Sequence, residues 1–63
     1  MEEKLLNRLQ YNADCYYEAM IQGIPMDFWK KQIHQIIRRL LDMGVSMDRI
    51  NGILSDAALR KCC

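Results

Sequence analysis

The side chains able to do covalent or metal chemistry are few. The 63 residues hold one histidine, His34, and three cysteines, Cys15, Cys62 and Cys63. A structural zinc site takes four ligands in closely spaced pairs, and the sequence contains no C-x-x-C. A cysteine nucleophile needs a base and a third group that orients the base. No such group accompanies His34, and a chain this short has little volume for a pocket. The sequence therefore predicts a non-enzymatic protein with no catalytic residue, no metal and no cofactor. An odd cysteine count without framework spacing argues against a secreted disulfide scaffold, so a reducing, cytoplasmic setting is expected. No charged leader precedes a long apolar core. No apolar run approaches the roughly 18 residues needed to span a bilayer, so no membrane partner is expected.

What remains is recognition chemistry. The formal net charge is +1, too small for a global field that would attract nucleic acid or an anionic membrane. The charges are segregated, however: residues 1–28 carry a net −3 and residues 29–63 a net +4. Opposed segments of this kind favour antiparallel docking, or head-to-tail pairing of two copies. The basic half includes Lys30, Lys31, His34, Arg38 and Arg39, which suit phosphate or an acidic protein surface when they are not simply a solvated face. Two aromatics, Tyr11 and Phe28, fall off the apolar stripes of their segments, where large side chains fill a partner interface or cover a helix end. The expected protein-binding set is Tyr11, Phe28, Lys31, Arg38 and Arg39.

These residues need helices to position them. From Met26 to Met43, residues Met26, Trp29, Ile33, Ile36, Ile37, Leu40, Leu41 and Met43 fall within an arc of about 160° on a helix. A stripe that wide needs neighbours on two flanks, so this segment is expected to be the axis of the fold. Residues 2–22 read as a first helix, with Leu6, Leu9, Ala13, Tyr16 and Met20 as its seam. Gly23 suits a helix C′ position, and Ile24 before Pro25 is pushed out of the α region. Gly44 closes the second helix in the same way, with Val45 placed for the apolar contact that follows such a cap. Ser46 is a good N-cap for a third helix that offers Met47, Ile50, Ile53 and Leu54. The expected architecture is all-α, a single small domain with helices at about 2–22, 26–43 and 47–58 and a loose tail over 60–63. The first two helices should form an antiparallel hairpin, with a short C-terminal third helix laid across one end. A chain this short is marginal as a monomer, and its apolar content is 51%, so a homo-oligomer, a dimer by preference, is expected.

Two stretches resemble known families. In Gly44-Val45-Ser46-Met47-Asp48-Arg49-Ile50-Asn51-Gly52-Ile53-Leu54 the spacing of Ile50 and Ile53 after Gly44 is similar to the turn and second helix of Cro-type phage repressors. It is also similar to the GhSxxxIxxhL run of winged-helix regulators. That resemblance implies a dimeric helix-turn-helix regulator with Ser46, Arg49 and Asn51 at the DNA. The plainer reading is a glycine that ends one helix and a serine that caps the next. The second resemblance runs through Tyr16, Ala19, Asp27-Phe28, Ile36, Arg38-Arg39 and Leu41. These match the YxxA…DF…I-x-RR-x-L pattern of the Sda-type sporulation checkpoint proteins, short helical hairpins that bind and inhibit a sensor histidine kinase. The resemblance implies a hairpin that docks on a protein.

The favoured expectation is a small regulatory or inhibitory protein, of the size common among mobile elements and stress checkpoints, that acts by binding another protein. The alternative is the DNA-binding regulator. The two separate in a gel shift at low salt: salt-sensitive DNA binding lost on alanine substitution of Arg49 and Asn51 supports the second, and no shift removes it.

Overall fold

A computed structural model describes residues 2–62, and Met1 and Cys63 lie outside it. The chain forms three helices: α1 (Glu2–Gln22), α2 (Asp27–Asp42) and α3 (Met47–Cys62). No strand occurs among the described residues.

The ends of α1 and α2 are set by the same local device. Gly23 and Gly44 take φ of +73° and +88°, a region that costs an L side chain strain and glycine none. At the first, the Ile24 N–H donates to the Ala19 carbonyl at 2.9 Å and the Gly23 N–H to Met20 at 3.3 Å. At the second, Val45 donates to Leu40 and Gly44 to Leu41, each at 3.0 Å. Both are Schellman caps, which satisfy the orphan carbonyls of a helix end. Val45 is buried, as the apolar residue after such a cap should be. Ser46 caps α3: its hydroxyl accepts the Arg49 backbone N–H at 3.3 Å. Helix α2 begins on Asp27, one residue later than expected, and has no side-chain N-cap; its first turn is favoured by the Asp27 carboxylate against the helix dipole.

Helix α1, rather than α2, is the centre of the fold. It packs against both other helices, while α2 and α3 touch each other far less. Its buried and half-buried Leu5, Leu6, Leu9, Asn12, Ala13, Tyr16, Tyr17 and Ala19 span an arc of about 160°, wide enough for two neighbours. On α2 only Ile33, Ile36 and Leu40 are buried. Leu41 and Met43, at the two edges of the α2 stripe, stay 42% and 44% exposed. The stripe is as wide as expected, but its edges stay partly exposed.

The third helix also differs from expectation. It is sixteen residues long, equal to α2, and continues through residues 59–62 where an end near 58 and a loose tail were expected. Three ion pairs tie it to α1: Arg49 to Glu2 at 2.9 Å, Arg60 to Asp14 at 2.8 Å, and Lys61 to Glu18 at 3.4 Å. The start of α3 thus lies beside the start of α1 and its end beside the later turns of α1. It runs along α1 in the same direction instead of lying across one end. Exposed pairs of this kind each contribute about 0.2–1 kcal/mol, so they set register more than stability. Stability comes from one apolar cluster built from all three helices, in which Leu9, Leu40 and Ile50 have no solvent contact. Ala13 and Ala57, also fully buried, add little volume and allow close helix approach. Among the described residues the one buried polar side chain, Asn12, donates through its amide to the Arg8 carbonyl at 2.8 Å.

Leu9→Ala is expected to destabilise the fold by about 2–5 kcal/mol, as large-to-small changes in sealed cores do. Leu59→Ala, at a position 61% exposed, is expected to stay within about 0.5 kcal/mol. Urea denaturation followed by circular dichroism measures both.

Candidate protein-docking surface

Among the described residues the three inter-helix ion pairs all join acids of α1 to bases of α3. The charge segregation of the chain is satisfied there and not on α2. Among the described residues no carboxylate pairs with Lys30, Lys31, Arg38 or Arg39, and none pairs with Lys4 or Arg8 on α1. Helix α2 therefore presents its cations to solvent.

Helical periodicity sorts them. Lys31 and Arg38 are seven residues apart, within about 20° of each other on the outer ridge of α2. His34 lies on the same side, and all three are exposed. Phe28 and Arg39 are eleven residues apart and again within about 20°, but on a flank of α2 some 80° round from that ridge. Phe28 is 61% exposed and sets its ring edge against Trp29, with centroids 4.9 Å apart and planes at 84°. Trp29, expected in the core, is only half-buried.

Two clefts lie between α1 and α2, and no residue of α3 lines either. The larger, about 430 Å³, is lined by Lys4, Leu5, Arg8, Arg39, Asp42 and Met43. Its apolar floor is short, and three cations outnumber one carboxylate around it. The other, about 290 Å³, includes Cys15, Ala19, Ile24 and Trp29. A third recess of about 180 Å³ is roofed partly by α3, through Leu54, and has Tyr16, Tyr17 and His34 on its walls. The α1–α2 layer is thus covered by α3 on one side and open on the other.

Tyr11, 64% exposed, sits at the margin of the open side. Its phenol is held above its ordinary pKa, first by a side-chain hydrogen bond with Cys15, then by the charge of that thiol's ionised form, and last by desolvation. Of the five expected protein-binding residues, then, Phe28 and Arg39 share the open flank with Tyr11 at its margin, while Lys31 and Arg38 form a separate ridge. Lys4, Leu5 and Arg8, not expected at a site, line the larger cleft beside Arg39. The available signal was Lys4 and Arg8 at i and i+4, which places two cations on one face of α1.

The residues expected at DNA are largely engaged. The Ser46 hydroxyl caps α3, the Arg49 guanidinium donates to Glu2 at 2.9 Å, and Asn51 alone is exposed without a side-chain partner among the described residues. The outer face of α3 carries Asp48 and Asp56, which would repel phosphate. No group of three or more metal-ligating side chains occurs among the described residues. No helix among them is long and apolar enough to cross a membrane.

Comparison of the chain with protein-family profiles, with curated proteins and with solved structures finds no match.

Cys15→Ala is expected to move the Tyr11 titration down toward the ordinary tyrosine range, because the leading causes of its elevation are removed. Ring-proton chemical shifts followed between pH 8 and about 12 report it residue by residue.

Proposed function

We propose that this chain is a small non-enzymatic regulatory or inhibitory protein that acts by docking on another protein through α1 and α2, and that it also self-associates. In this reading α1 and α2 form an antiparallel hairpin. Support comes from the first cleft, where Leu5 and Arg8 near the start of α1 meet Arg39 and Met43 near the end of α2, and from the second, where Ala19 meets Trp29.

The observation that carries the proposal is the uncovered apolar edge of α2 beside cations with no carboxylate partner among the described residues. Phe28 and Met43, on the open flank, are large, apolar and exposed. Leaving them in water forgoes hydrophobic stabilisation of about 25 cal/mol per Å² that a partner surface would recover. Aromatic and arginine side chains are the types that dominate interface energetics. The outer ridge of Lys31 and Arg38 suits an acidic rim on the partner, steering encounter more than holding the complex.

Capture from nuclease-treated host lysate tests the reading. Tyr11→Ser with Phe28→Ser is expected to weaken capture of the partner by about 30-fold or more. Lys31→Glu with Arg38→Glu is expected to slow association and reduce its salt dependence. Both double variants should keep the helical circular dichroism of the parent. Capture unchanged by either pair refutes this surface, and capture abolished by nuclease would transfer the case to nucleic acid.

A further inference from the structure

We infer that the recess where the three helices meet, walled by Tyr16, Tyr17 and Leu54 and edged by Lys30 and His34, is a binding site for a small aromatic carboxylate. The site goes beyond the docking role proposed above. It uses none of Tyr11, Phe28, Lys31, Arg38, Arg39 and Met43, which carry that role.

Helical spacing builds the α2 wall. Lys30, Ile33, His34 and Ile37 are spaced 3, 1 and 3, within an arc of about 100°. Ile33 is buried and Ile37 half-buried, while Lys30 and His34 are exposed. The wall is therefore apolar on its inner side and polar at its outer edge, with the ammonium and the imidazole one helical turn apart. Helix α1 supplies Tyr16 and Tyr17, whose rings meet edge to face with centroids 5.2 Å apart and planes at 86°. Leu54 of α3 forms the third side. The recess thus lies in the gap between α2 and α3, the two helices that touch each other least.

Its size selects the ligand. The recess holds about 180 Å³. An apolar cavity of ~150 Å³ admits one benzene ring, whereas drug-sized ligands occupy about 300–1,000 Å³. A single ring fits and a nucleotide does not. Two tyrosine rings at right angles offer a third ring both a face and an edge, the arrangements that aromatic groups prefer.

Its charge selects an anion. Lys30 and His34 are the charged or titratable groups at the outer edge, and no carboxylate lines the recess. The acids of α1 on either side of the two tyrosines are engaged elsewhere, Asp14 by Arg60 and Glu18 by Lys61. Asp27, three residues before Lys30 on α2, makes no ion pair with it among the described residues. Side-chain hydrogen bonds among the described residues likewise leave Lys30, His34 and both tyrosine hydroxyls free. An imidazole N–H and two phenols are neutral donors that can add to one ammonium. That set matches a monoanion. A phosphate ester would bring a second charge and find no arginine fork in the lining.

Benzoate added to the purified full chain, with no other protein present, tests the site. Benzyl alcohol, benzylamine and acetate serve as the neutral, cationic and ringless comparisons. In two-dimensional amide NMR, benzoate is expected to give saturable shifts at Lys30, His34 and Leu54 with a dissociation constant of about 1 mM, ordinary for a ligand of this size. Nuclear Overhauser contacts are expected from its ring protons to the methyls of both Ile37 and Leu54. Benzyl alcohol is expected to bind about tenfold more weakly, and benzylamine and acetate to give no saturable shift. Lys30→Gln is expected to weaken benzoate about tenfold and to bring it level with benzyl alcohol. Arg39→Gln, in the other cation-lined cleft, is expected to leave benzoate binding unchanged. Both substitutions are at exposed positions and should keep the helical circular dichroism of the parent. The inference is overturned by an absence of saturable shifts, by benzylamine binding as well as benzoate, or by affinity unmoved in Lys30→Gln. It is overturned equally by loss of binding in Arg39→Gln, or by ring contacts that miss Leu54. Capture of a protein partner is read separately, through the Tyr11, Phe28, Lys31 and Arg38 variants.

Discussion

Each helix contributes one large side chain that has no contact with solvent: Leu9 from α1, Leu40 from α2 and Ile50 from α3. A chain of this size has little else with which to offset the loss of backbone freedom. The whole arrangement is a way of sealing those three side chains with a small number of others. The alanines at 13 and 57 let helices approach, the two glycine caps end α1 and α2 at the required places, and Val45 joins the cluster. What the seal does not need is left outside, and this determines the character of the surface.

The surface consequently divides by how its charges are paired. The α1–α3 seam uses the acids of the first helix and the bases of the last, and holds them in three pairs. Among the described residues the α1–α2 layer has no such pairs, so its cations stand in water beside the exposed Phe28 and Met43. A cation beside an exposed aromatic contributes little to the fold of a monomer and a good deal to recognition.

Much of this was legible in the residues. Gly23, Gly44 and Ser46 announced the ends of α1 and α2 and the α3 cap, since the chemistry of helix ends is local. Ile33, Ile36 and Leu40 announced the buried face of α2 through their spacing. Phe28 and Tyr11 stood off the stripes and are indeed exposed. The choice of central helix was not legible. The apolar stripes of α1 and α2 are equally wide, and periodicity shows how much of a helix can be buried without showing how much is covered. The length of α3 was also hidden, because Gly52 and the modest residues after Ser55 weaken it locally. The distant carboxylates Asp14 and Glu18 pair with its last turn, and that contact is invisible to any short window of sequence. The clefts escaped for a related reason, since each is assembled from residues more than thirty positions apart or on either side of a turn.

The placement of the methionines has a chemical corollary. Met20, Met43 and Met47 are each between 44% and 45% exposed, and no methionine among the described residues is buried. Peroxide converts a thioether into a polar, chiral sulfoxide, a lesion that reductases can reverse. In this molecule that change would wet the outer apolar collar while sparing the sealed leucine and isoleucine interior. Oxidative ageing would thus change the chemistry of the surface while leaving that of the core alone.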